Sequence, residues 1–168
     1  MSAPTVSTIE ISKDYLHFNA AHFTLFSASE REDLHGHTFY VTAEVDSPVG
    51  EDGLAFDYNL FKSALEDLCS ELDEKVLLPE RSPYLTLEHS EGYLIARFAD
   101  ERIPFLPRDV LTLPVRNITV EELAGWFLER VRTQPAIAAL DLIRVQIRVS
   151  SGPGQWAGAQ WHNQGAQG

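Results

Sequence analysis

The sequence predicts an α+β chain: an antiparallel sheet with helices packed on one of its faces. Three observations predict it. Alternating apolar and polar segments lie near both ends of the chain, two helical stripes lie between them, and no repeat at solenoid spacing is present. The clearest alternation runs from His35 to Val45. His35, His37, Phe39, Val41, Ala43 and Val45 share one face, and Thr38, Tyr40, Thr42 and Glu44 share the other.

Each element has a local cause. Residues 5–12 alternate as a first strand, and the segment from Tyr15 to Phe23 continues it, with Phe18, Ala20 and His22 on one face. Residues 24–33 are a polar loop leading into the strand at 34–45. Asp46 to Gly53 reads as a turn by composition. Asp57 or Asn59 then caps a helix whose stripe is Phe61, Leu65, Leu68 and Leu72. Residues 80–116 hold four of the nine prolines and read as an inserted hairpin or long loop turning at Ala99-Asp100-Glu101, a lid or an oligomer contact. Thr119 and Glu122 form a capping box at the start of a second helix striped by Leu123, Trp126, Phe127 and Val131. Ile143, Val145, Ile147 and Val149 alternate with Arg144, Gln146 and Arg148 in a strand, and another strand follows between Trp156 and Trp161. One domain over residues 1–162 is expected, with a disordered tail over 163–168.

Composition excludes several classes. Thirteen basic residues against 25 acidic ones give a net charge of −12, which argues against nucleic acid as a partner. No apolar run approaches membrane-spanning length and the start has no signal-like pattern, so a cytoplasmic location and no membrane partner are expected. The single cysteine, Cys69, excludes an internal disulfide framework and falls on the buried stripe of the first helix.

The chemistry concentrates in three histidines. His35 and His37 stand on the same face of one strand, roughly 7 Å apart by strand rise. An antiparallel pairing can bring His22 opposite them. Three neutral imidazoles with a fourth position open make a catalytic zinc arrangement, and no thiol is at hand for a closed structural site. Two polar residues at a strand start, satisfied by loop backbone, would be the ordinary alternative.

These residues resemble a family. Phe18-Asn-Ala-Ala-His22 and Leu34-His-Gly-His37 are similar to the zinc motifs of the 6-pyruvoyl-tetrahydropterin synthase and 6-carboxy-tetrahydropterin synthase family. The likeness continues in Gly53-Leu-Ala-Phe-Asp57-Tyr, Leu72-Asp-Glu-Lys75, Thr119-Val-Glu-Glu-Leu-Ala124 and Ser151-Gly-Pro-Gly-Gln-Trp-Ala157. The resemblance implies the tunnelling fold, a four-stranded antiparallel sheet with two helices on one face. It implies trimers closing into barrels, usually paired into hexamers, with sites at subunit interfaces. It implies Zn²⁺ on His22, His35 and His37, and a pterin substrate met by Thr119, Glu121 and Ser151.

Three functional positions depart from the family pattern. The general-base cysteine expected shortly before His-Gly-His is absent from Glu30-Arg31-Glu32-Asp33-Leu34. The histidine of Leu-Asp-His is Glu74, although Asp73 remains, and the closing glutamate is Ser151. Proton transfer would then need a carboxylate raised toward neutral pKa, and Glu32, Asp33, Asp73 and Glu74 are candidates. A branch of the family places a carboxylate just before His-Gly-His and cleaves the side chain of dihydroneopterin triphosphate toward 6-hydroxymethyl-dihydropterin. Asp33, two residues before His35, resembles that arrangement. The sequence therefore assigns catalysis to Asp33, Asp73 and Glu74, in a zinc-dependent carbon–oxygen or carbon–carbon lyase. The alternative is a zinc- and pterin- or purine-binding member with altered or no activity.

Overall fold

The computed structural model describes residues 5–166. Strands β1 (Val6–Ile11) and β2 (His17–His22) both pair antiparallel with the long strand β3 (His35–Pro48), β1 with its far end and β2 with its beginning. The turn expected at Asp46 begins later, because pairing with Val6, Ser7 and Thr8 keeps Asp46, Ser47 and Pro48 in strand. Strand β9 (Arg144–Ser150) runs along the other edge of β3, and β10 (Ala157–His162) closes that side. Strands β10, β9, β3 and β2 thus form the four-stranded antiparallel sheet that the resemblance implies. The sheet extends on the β2 side through two parallel strands, β4 (Lys75–Pro79) and β8 (Val110–Leu113).

The apolar face of this sheet carries Phe18, Phe39, Val41, Ala43, Val45, Val145, Ile147 and Val149, all buried. Helices α1 (Asn59–Leu72) and α2 (Val120–Arg132) cover it with Phe61, Leu65, Leu72, Leu123, Phe127 and Val131. Phe18 stacks on Phe39 at 5.0 Å between ring centres and meets Phe127 at 5.9 Å, so the layers join at the strand that bears His22. A short helix, α3 (Pro135–Ala138), leads into β9. No helix among the described residues is long and apolar enough to cross a membrane.

Two caps differ from expectation. Thr119 accepts from the Glu122 backbone N–H, but the Glu122 carboxylate turns to Arg116 instead of completing the box. At α1, Asp57 accepts from the Asn59 N–H just ahead of the first turn.

The insertion is larger than a hairpin. It forms a three-stranded antiparallel sheet of β5 (Leu85–Ser90), β6 (Tyr93–Phe98) and β7 (Glu101–Phe105). The expected turn at Ala99-Asp100-Glu101 is its second corner. The first corner is Glu91-Gly92, both left-handed at φ 53° and 83°, as a two-residue hairpin turn requires. Leu85, Leu94, Ala96 and Phe98 bury themselves against Phe23, Leu25 and Leu78, a second core beside the first. The chain beyond β10 is tied down at its start: Asn163 donates from its backbone to Ile143 O and from its side chain to Leu142 O. A single helical turn follows at Gln164–Ala166, and the remainder of the tail expected to be disordered lies outside the described residues.

Candidate metal centre

Strand register builds the site. His22 lies directly across from His35, and the small Ala20 lies across from His37. Cross-strand neighbours stand close enough for their side chains to meet. The three imidazoles cluster, with ring centres 4.8 Å apart for His22 and His35, 5.3 Å for His22 and His37, and 4.7 Å for His35 and His37. One nitrogen from each lies within 4.8 Å of the others.

Two tautomers are fixed from outside. His22 Nδ1 lies 2.8 Å from Ile118 O and donates to it, and His35 Nδ1 donates to Asp33 O at 2.7 Å. Each ring therefore offers an unprotonated Nε2 to the centre, the outer-shell arrangement that orients a metal-binding histidine. His35 Nε2 and His37 Nε2 are 2.9 Å apart. His22 is only 6 % exposed and its Nε2 has no protein partner. A buried nitrogen without a partner is costly unless something else satisfies it. Burial lowers the pKa of His22, and neighbouring His35 and His37 add to that despite the bond to Ile118. His37 is lowered by burial and by His35. Neutral imidazoles are the form that binds metal. The residues present thus fit a divalent ion held by three nitrogens, with a position left for a further ligand.

A cavity of about 380 Å³ opens from this centre. Thr119, Glu121 and Ser151, assigned to substrate from the sequence, line it together with the three histidines. Thr119 and Glu121 arrive on the first turn of α2, and Ser151 follows the end of β9. Gln155 and Thr24 also line the cavity, and neither carried a signal in the sequence beyond its polarity.

Of the loop carboxylates just before His35, it is Glu32, not Asp33, that lines this cavity. Glu32 N donates to Thr24 O at 2.9 Å, and Thr24 N returns a bond to Glu32 Oε2 at 2.9 Å. That two-way pairing across the loop turns the Glu32 side chain inward and leaves Asp33 exposed, contributing its backbone carbonyl to His35. The expected raised pKa is also not found. Burial pushes the Glu32 carboxyl up, but the bonds from Thr24 and the nearby His35 and His22 outweigh it, so it sits below the usual carboxylate range.

Asp73 and Glu74 stand elsewhere. Glu74 lines a second cavity of about 680 Å³ that also touches Asn19, Thr38, Lys75 and Asp109, with His37 shared between the two. Asp73 is engaged with Asn19, accepting from its backbone N–H at 2.7 Å and its side-chain N–H at 3.3 Å. Glu74 has a left-handed backbone at φ 59°, unusual for a residue with a side chain. Cys69 is buried in α1 and its thiol is pushed up to about 12, chiefly by burial, so it is no hidden substitute for the missing base.

A family model described as 6-pyruvoyl tetrahydropterin synthase matches residues 10–160. The chain belongs to the 6-pyruvoyl tetrahydropterin synthase family. Among relatives of the family, a Pyrococcus abyssi protein named as a candidate 6-carboxy-5,6,7,8-tetrahydropterin synthase is 29% identical over 141 residues, covering 83% of each chain. A Methanocaldococcus jannaschii protein with the same name is 25% identical, covering 84% of this chain and 88% of its own. The fold is also that of solved synthases of the family. The Plasmodium falciparum 6-pyruvoyl tetrahydropterin synthase superposes with a TM-score of 0.88 at 25% identity, over 94% of this chain and 99% of its own. A Plasmodium vivax synthase, in a variant that replaces a catalytic residue, a glutamate, by alanine, gives 0.88 at 23% identity over 95% and 99%.

Proposed function

We propose that this chain is a zinc-dependent lyase that cleaves the side chain of dihydroneopterin triphosphate, with Glu32 as the proton-transfer group. One observation carries the reading: three imidazole nitrogens, one of them buried and unsatisfied, converge in the cavity that also holds an inward-facing carboxylate. The archaeal relatives named as candidate 6-carboxy-5,6,7,8-tetrahydropterin synthases support the pterin class. The catalytic glutamate of the Plasmodium vivax enzyme supports a carboxylate in place of a thiol.

His22, His35 and His37 would hold the zinc, which when bound polarises the substrate's side-chain hydroxyls and so relieves the demand for a strong base. Glu32, ionised because its carboxyl sits below the usual range, takes the proton from the hydroxyl on the second side-chain carbon. The bond between the first and second carbons breaks, and its electron pair passes to the first carbon, conjugated with the pterin ring. Glu32 returns the proton to that carbon. The products are 6-hydroxymethyl-dihydropterin and an aldehyde bearing the triphosphate. Glu121, on the cavity wall, offers a carboxylate to the paired N–H groups of the pterin edge, the match that Ser151 cannot make. Thr119 and Ser151 supply neutral hydrogen-bonding groups beside it.

Asp73 and Glu74 reach this centre only if a neighbouring copy brings them, which fits a trimer or hexamer with sites between subunits. A cytoplasmic location belongs to the same reading. A second reading, metal and pterin binding without turnover, is favoured by the low pKa of Glu32. Zinc-loaded protein incubated with dihydroneopterin triphosphate, with products followed by mass spectrometry, separates the two. Release of 6-hydroxymethyl-dihydropterin is expected, and unchanged substrate at high protein concentration would reject the lyase.

A further inference from the structure

Arg31, in the loop beside Glu32, reaches across to the inserted sheet. The guanidinium lies 5.1 Å above the ring of Phe23 and 6.0 Å from that of Phe98. Its Nε donates to Glu101 Oε2 at 2.6 Å, and one Nη donates to the backbone carbonyl of Glu32 at 2.7 Å. Phe23 directly follows His22, the last residue of β2, while Phe98 and Glu101 flank the corner between β6 and β7. Arg31 therefore joins the end of the strand bearing His22, the loop carrying Glu32 and the insertion. Its side chain is 18 % exposed and that of Glu101 44 %, so solvent screens the ion pair from the Glu101 side and the ring and backbone contacts share the hold. A planar guanidinium can stack on two rings while directing separate N–H groups at two acceptors; an ammonium cannot.

The loop is held from its other side as well. Asn117 accepts from Leu25 N–H at 3.1 Å and donates to Leu25 O at 2.8 Å. Its neighbour Ile118 is the acceptor for His22. Between these two anchors the Thr24–Glu32 pairing sets where the carboxylate points.

We infer that Arg31 is a positioning residue, clamping the Glu32 loop to the β5–β7 sheet so that the Glu32 carboxylate stays fixed against the histidines. The insertion is then a buttress for the reacting group, not a lid over it. The inference rests on the assignment of Glu32 above. A carboxylate freed to wander by about 1 Å can cost about 10²-fold in rate.

The test compares Arg31→Ala, Glu101→Gln, Glu32→Gln and the double variant Arg31→Ala/Glu32→Gln, each checked for zinc content and thermal stability. Arg31→Ala is expected to lower kcat by about 10- to 100-fold with KM and zinc content held, and Glu101→Gln by a smaller factor. Free guanidinium added to Arg31→Ala is expected to restore part of kcat by filling the slot between Phe23 and Phe98. In the Glu32→Gln background, Arg31→Ala should cost nothing further, because the group it positions is gone. Hydrogen exchange of the metal-free protein should show faster exchange at the Thr24 and Glu32 amides in Arg31→Ala, with β9 unchanged. Unaltered kcat and exchange in Arg31→Ala would overturn the inference. So would a full additional loss in the Glu32→Gln background, which would mean that Arg31 acts on something else. Full activity of Glu32→Gln itself would instead overturn the assignment of Glu32, and the positioning role with it, even where exchange shows the clamp intact.

Discussion

Two cavities flank the ribbon made by β2 and β3, and they differ in what their walls still need. In the larger, about 680 Å³, the wall groups Asn19, Thr38 and Lys75 are already engaged. Thr38 donates to Asn19, Asn19 donates to Asp73, and Lys75 donates to the Arg108 carbonyl. The smaller, about 380 Å³, holds a buried histidine nitrogen with no protein partner beside a pair of imidazole nitrogens 2.9 Å apart. Unspent bonding capacity, not volume, marks where a ligand belongs. The contrast also separates the carboxylates. Glu32 lines the histidine cavity with one oxygen bonded to Thr24 N–H, whereas Asp73 lines neither cavity and is bonded to Asn19 on β2.

The predictions attack this contrast, beginning with the largest effect. His35→Ala removes one nitrogen of the centre. Zinc retained after dialysis, measured by metal analysis, should fall from about one per chain to near none, since even outer-shell losses cost about 10- to 100-fold in affinity. Glu32→Gln should lower kcat by about 10²- to 10⁴-fold with zinc retained. On the other side of the ribbon, Asp73→Ala should cost about 1 kcal/mol in denaturant unfolding, leaving Asn19 N–H without its partner, and should leave zinc content unchanged.

Away from both cavities, Arg144 donates to Asp46 at 2.7 Å with both side chains about four-fifths covered. That bond, with the one from Thr8, holds the Asp46 carboxyl below its ordinary value of 3.8. A carboxyl lowered on folding stabilises the fold above its unfolded pKa and loses that contribution as pH falls through the folded value. Acid unfolding should therefore steepen below about pH 3.8, and Asp46→Asn should remove that part of the dependence at a cost of about 1 kcal/mol at pH 7. The smallest effect is at Glu74. Glycine there relieves a left-handed backbone, so Glu74→Gly should raise stability by about 0.5–1 kcal/mol.

The parts of the molecule legible from sequence are those with a period. Phe39, Val41, Ala43 and Val45, and Val145, Ile147 and Val149, announce strands, and their burial against α1 and α2 follows from it. His22, His35 and His37 are legible because register converts their spacing into proximity. Strand β4 was hidden because Val76, Leu77 and Leu78 continue an apolar helix end, and its parallel pairing with β2 is a tertiary fact. The first strand of the insertion, β5, was hidden because Leu85 to Ser90 finds its partner only after the Glu91-Gly92 corner. The choice between Glu32 and Asp33 rests on the bonds exchanged with Thr24, eight residues away, which no local pattern encodes.

We propose that the histidine cavity is the reaction centre and that Glu32 is its proton carrier. Steady-state kinetics on dihydroneopterin triphosphate for Glu32→Gln and Asp33→Asn, with zinc per chain measured on the same samples, tests it most directly. Glu32→Gln is expected to keep its zinc and lose at least about 10²-fold in kcat, while Asp33→Asn leaves both unchanged. Undiminished turnover by Glu32→Gln, or a loss confined to Asp33→Asn, would contradict it.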